Sequence, residues 1–87
     1  MENKFIVSVD GSQYTVIATA RPEQDTFMRM IFEVEAEGGK KFSFVFDYKT
    51  EGEKLADMRK LPGNDEEKMT RFLIAKQVLL NMGILTP

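Results

Sequence analysis

The fold is decided by residues 27–48, FMRMIFEVEAEGGKKFSFVFDY, in which apolar and polar side chains alternate on either side of two glycines. Alternation with a period of two residues is typical of a β-strand that buries one face. It predicts two strands here, at about residues 27–37 and 40–48. Most apolar side chains of the two strands share one face, and these are Met28, Met30, Phe32, Val34, Ala36, Phe42, Phe44, Phe46 and Tyr48.

The double-glycine loop between these two strands decides their register. A two-residue loop would place Val34 opposite Ser43 and separate the apolar faces, because a shift of one residue inverts a strand. A three-residue loop over residues 37–39 places Val34 opposite Phe42 and joins the apolar faces. We therefore predict the three-residue loop, with a glycine in the left-handed conformation of a G1 bulge.

A second hairpin precedes this one. Its strands are predicted at about residues 4–9 and 13–21, and an Asp-Gly pair at 10–11 joins them. Asp-Gly favours a type I′ turn, in which both central residues take a positive φ. A two-residue loop places Val7 opposite Tyr14, so the apolar side chains of this hairpin also share one face.

The C-terminal part of the sequence changes to a helical period. A charged connection occupies residues 49–63, and a helix is predicted at 65–82. Asn64 is placed as its N-cap and forms a capping box with Glu67, whereas Gly83 is placed just beyond its C-terminus.

These elements predict a single α+β domain over residues 1–87 with the order β-β-β-β-α. The sheet is a four-stranded antiparallel meander of two hairpins, and the C-terminal helix packs on one of its faces. The element order resembles that of a repeat of the PUR nucleic-acid-binding type, and this resemblance implies nucleic acid as a partner class.

The composition points to a partner chain as a source of stability. The 87 residues contain no cysteine and no histidine, which excludes disulfides, thiolate or imidazole metal ligands, and catalysis by either residue. A small domain without these devices can be stabilised by association, so we expect a homo-oligomer, most simply a dimer. We predict no cofactor and no enzymatic activity, since no catalytic or phosphate-binding motif is present.

Charge and hydropathy define the expected surroundings of the chain. Its net charge of −2 argues against nucleic acid and against an anionic membrane surface. No apolar run reaches the ~18 residues that a membrane span requires. We expect a cytoplasmic location, because the N-terminal residues lack the pattern of a signal peptide.

The face of the sheet away from the helix carries more aliphatic side chains than a solvated face needs. One β-branched residue from each strand faces outward in the predicted registers. The helix is likewise apolar around more of its circumference than one sheet can cover. The candidate interface combines both surfaces and consists of Ile6, Ile17, Ile31, Val45, Ile74 and Val78.

Arg29 and Asp47 form a candidate polar site on the same outer face, where the predicted register places them opposite each other. They could bind a polar ligand group, or they could be a cross-strand ion pair that stabilises the register. The function we favour is a small, non-enzymatic, self-associating interaction module. The alternatives are a domain that binds a small ligand and a weak binder of single-stranded nucleic acid. The second would use a basic edge made by Lys40, Lys41, Lys49 and Arg59.

Overall fold

A computed structural model describes residues 2–24, 27–49 and 61–84, and in it the chain forms four strands followed by one helix. Each strand is antiparallel to its neighbour, and the order in the sheet is the order in the sequence. The predicted α+β fold is confirmed. The elements are β1 (Glu2–Val9), β2 (Ser12–Gln24), β3 (Phe27–Ala36), β4 (Lys41–Lys49) and α1 (Asp65–Asn81).

Both predicted registers are confirmed. Val34 pairs with Phe42, and Val7 pairs with Tyr14. In the β3–β4 loop, Gly38 has a φ of 88°, a left-handed conformation that glycine adopts without steric cost. These registers place every predicted apolar set that the structure describes on the side of the sheet that faces α1.

The core lies between this inner face of the sheet and one side of the helix. Phe32 and Phe46 are fully buried near its centre, and the rings of Phe32 and Phe44 stack with their centroids 5.0 Å apart. The helix contributes four buried side chains at the spacing of one helical stripe, and they are Ile74, Ala75, Val78 and Leu79. The strand-four phenylalanines are thus core residues, as their alternation predicts.

One part of the predicted interface is wrong. Ile74 and Val78 were expected on an exposed surface of the helix, but both have 0% exposure and pack against the sheet. The helix is apolar around a wide arc of its circumference, and such an arc does not define which part of the helix turns towards the sheet. The apolar side chain that the rotation leaves outside is Met69, at 45% exposure.

The helix ends are formed by local hydrogen bonds that match the prediction. The Asn64 side chain accepts from the backbone N–H of Glu67 at 2.8 Å, and the Glu67 carboxylate accepts from the backbone N–H of Asn64 at 3.0 Å. At the other end Gly83 has a φ of 76°, and the Ile84 N–H donates to the Leu79 carbonyl at 3.0 Å. This is a Schellman motif, so the helix ends are specified by the sequence next to them.

Most of the predicted connection at residues 49–63 lies outside the described residues.

The burial of the helix stripe leads to a stability prediction. Ile74→Ala should lower the free energy of unfolding by about 2–5 kcal/mol, because it removes transfer energy and leaves a cavity. Met69→Ala should change it by about 0.5 kcal/mol or less, since surface substitutions have small effects. Urea denaturation followed by circular dichroism measures both values. Equal effects at the two positions would contradict the helix orientation described here.

Candidate functional site

The face of the sheet on the side away from α1 is covered by no other element among the residues that the structure describes. Its four aliphatic side chains are the sheet part of the predicted interface. Ile6 is 67% exposed and Val45 is 45% exposed, whereas Ile17 and Ile31 are partly exposed. We call these four residues the outer stripe.

The registers place Ile6, Ile17 and Ile31 on a diagonal across β1, β2 and β3, and Val45 extends the stripe onto β4. Ile31 pairs directly with Val45 on the neighbouring strand. Ile31 pairs on its other side with Thr19, which is two residues from Ile17 on the same face of β2. Ile6 pairs with Thr15, which is two residues from Ile17 in the other direction. Diagonal neighbours of this kind are about 7–8 Å apart, so long side chains on them can touch.

Charged side chains of different sign flank the outer stripe. Ile17 is paired on one side with Lys4 and on the other with Glu33, so a cation and a carboxylate are its direct cross-strand neighbours. We call the two sides the Lys4 flank and the Glu33 flank. The Lys4 flank also holds Glu2, Arg21, Arg29 and Asp47, and the Glu33 flank also holds Glu35 and Lys41. Among the side chains that the structure describes, the stripe therefore separates a net positive flank from a net negative one.

Arg29 and Asp47 form the cross-strand pair that the register predicts. Arg29 Nε donates to one carboxylate oxygen of Asp47 at 3.0 Å, and Arg29 Nη2 donates to the other at 3.2 Å. Both side chains remain partly exposed, so water screens the pair. The two-point geometry occupies the guanidinium edge that a ligand carboxylate would use, which favours the structural interpretation of this candidate polar site.

An open depression of about 400 Å³ lies on the Glu33 flank, between Ile17, Glu33, Glu35 and Lys41. It is open to solvent and is not a closed pocket. Its lining combines an aliphatic patch with charges, which suits contact with another protein surface. The depression thus belongs to the same surface as the outer stripe.

A second open cleft, of about 470 Å³, lies between the N-terminus of α1 and the sheet. Arg71 lies over the Phe42 ring at 5.1 Å from its centroid and donates to the Pro62 carbonyl at 3.2 Å. No sequence pattern predicts this packing, because the three residues come from separate parts of the chain. The cleft reaches Tyr14, as a small-ligand site would need, but its charged lining is balanced, with Lys40, Arg71, Glu66 and Glu67. It therefore selects no ligand class.

The remaining candidate sites lack the geometry that their chemistry needs. Among residues 2–24, 27–49 and 61–84, no three carboxylates are grouped as a metal site would require. The rings of Phe44 and Phe46 are buried, so they offer no stacking platform for bases. Of the basic side chains considered for nucleic acid, Lys40 and Lys41 are exposed. The side chains of Lys49 and Arg59 lie outside the described part of the chain.

The chain matches no protein-family model, no curated protein and no solved structure. Among the described residues, no helix has the length and apolar character to cross a membrane.

The Arg29–Asp47 pair gives a prediction about register and stability. A double-mutant cycle with Arg29→Ala, Asp47→Ala and the double variant should give a coupling energy of about 0.2–1 kcal/mol. The coupling should fall as salt is raised, because both side chains reach water. Urea denaturation at low and high salt measures it. A coupling that is zero at low salt would contradict the paired geometry.

Proposed function

We propose that this protein is a small, non-enzymatic interaction module that self-associates through the outer stripe of its sheet. One observation carries the proposal. The fold fills the inner face of the sheet with its only described helix, yet every strand still presents an aliphatic side chain on the opposite face.

The physical argument for association is the hydration of that aliphatic surface. An antiparallel sheet covered on one side usually alternates between apolar residues inside and polar residues outside. The outer stripe breaks this alternation at one position in each strand, and the four positions are neighbours across the sheet. Covering about 300 Å² of apolar surface contributes about 7 kcal/mol to the free energy of dimerisation, before the entropy cost of association is subtracted.

The size of the face supports a weak dimer rather than an obligate one. Four strands at their usual spacing make a sheet about 19 Å wide. A contact confined to the outer stripe, with about 300 Å² of apolar surface, is smaller than the ~800 Å² per partner that stable interfaces show. We therefore expect a reversible dimer whose population depends on protein concentration over the micromolar to millimolar range.

The chemistry of the face supports binding rather than catalysis. The outer stripe offers aliphatic groups, which exclude water but transfer no protons and attack no carbonyls. The charged groups beside it reach water, and Arg29 and Asp47 are already bonded to each other within the chain. An exposed aliphatic patch with a charged rim is the usual arrangement of a protein-binding surface.

Sedimentation equilibrium of the wild type and of charge insertions tests the proposal. The wild type should dimerise as its concentration rises from about 10 µM to about 1 mM, the range in which binding free energies near 4–7 kcal/mol are measured. Ile31→Lys places a charge at the centre of the stripe and should give a monomer. Ile6→Lys should also give a monomer, and because Ile6 is 67% exposed this change should leave folding intact.

The matched control is Met69→Lys, which inserts the same charge at an exposed apolar position outside the stripe. It should dimerise like the wild type. A wild type that stays monomeric over the whole range would contradict the proposal. So would stripe variants that associate as strongly as the Met69→Lys control.

A further inference from the structure

We propose that the dimer is a face-to-face pair of sheets whose two-fold axis runs along the line of Ile6, Ile17 and Ile31 in the outer stripe. In this dimer Lys4 of one copy lies beside Glu33 and Glu35 of the second copy. This rests on the proposed function, because it assumes that the outer stripe is the interface. It adds the orientation of the two copies and the residues that select it.

The direction of the axis follows from the placement of charge. When two copies of one sheet face each other, their two-fold axis must lie in the plane between them. An axis along the stripe stacks stripe on stripe and carries each flank over the opposite flank of the second copy. An axis across the stripe also stacks the two stripes on each other. It places each flank over the same flank of the second copy, however, and brings Glu33 near Glu35 of the second copy.

The charges of the flanking residues are complementary between the two copies only when the axis runs along the stripe. Lys4 and Glu33 are the direct neighbours of Ile17 on its two sides, so this rotation brings each towards the position that the other occupies. Farther from the stripe, Glu2 lies on the Lys4 flank and Lys41 on the Glu33 flank, so this outer pair also has opposite signs. Complementary charge of this kind fixes the orientation of an interface more than its affinity.

The same geometry sets the angle between the two sheets. From Ile6 to Ile31 the stripe moves two residues along the strands for each strand that it crosses. With usual strand dimensions it therefore runs at about 35° to the strands. A two-fold rotation about the stripe doubles this angle, so the strands of the two copies cross at about 70°, near the orthogonal class of sheet packing.

A charge-swap experiment tests the pairing of the flanks. Lys4→Glu places a carboxylate against Glu33 and Glu35 of the second copy, and Glu35→Lys places a cation against Lys4. Each variant alone should dimerise roughly tenfold more weakly than the wild type, because the change acts twice in a symmetric dimer. An equimolar mixture of the two variants should dimerise more strongly than either variant alone. One contact of the mixed dimer keeps the natural charges, and the other joins the introduced carboxylate to the introduced cation. Lys76→Glu, on an exposed helix position, is the control and should dimerise normally.

Site-specific crosslinking tests the axis independently, because the natural chain contains no cysteine. Ile17→Cys lies on the proposed axis, so it should crosslink to its own counterpart with a short bismaleimide. Lys41→Cys is carried to the far side of the second copy, roughly 20 Å or more from its counterpart, and should not crosslink. An axis across the stripe would place Lys41 opposite its counterpart, so the crosslink would form.

The outcomes separate this inference from the function on which it rests. Suppose that the Ile31→Lys variant is monomeric but the single charge swaps dimerise like the wild type. The face is then the interface, and the proposed axis is wrong. The same conclusion follows if mixing the two charge-swap variants recovers no dimer affinity. Efficient crosslinking of Lys41→Cys would overturn the axis in the same way. If Ile31→Lys leaves the dimer unchanged, both the function and the axis are wrong.

Discussion

The pairing of Val34 with Phe42 is the constraint on which the rest of the structure depends. Because successive side chains of a strand point to opposite faces, this one pairing assigns every residue of β3 and β4 to the core or to the outside. A left-handed glycine at position 38 makes the pairing sterically available. The stacked rings of Phe32 and Phe44, with centroids 5.0 Å apart, then stabilise it from the core side.

The same register that builds the core also builds the outer surface. With Val34 and Phe42 inside, Ile31 and Val45 must lie together outside, and Glu33 must face away from the helix. The hydrophobic effect that holds the inner face against α1 acts equally on these outward aliphatic groups, yet within the described part of the chain they have no layer to pack against. A dimer through the outer stripe would therefore be stabilised by the same interaction that stabilises the monomer.

Sequence reasoning succeeded where a local rule was enough. Strand alternation, the Asp-Gly turn and the Asn64–Glu67 capping box each act over a few residues, and hairpin register follows from loop length. It failed for Ile74 and Val78, because the rotation of a broadly apolar helix depends on which side chains fit the sheet. The stacking of Arg71 on Phe42 was also missed, since it joins residues far apart in sequence. The arrangement of the outer stripe across the sheet required all three registers at once.

Isoleucine methyl NMR gives the most direct test of the claim that this molecule associates through its open face. The five isoleucines sample three locations: Ile6, Ile17 and Ile31 on the outer stripe, Ile74 in the core, and Ile84 beyond the helix C-terminus. With selective labelling, spectra recorded from dilute to concentrated protein should show the three outer signals shifting together while those of Ile74 and Ile84 stay in place. Concentration-dependent shifts at Ile84 with stationary outer signals, or no shifts at any isoleucine, would contradict the account.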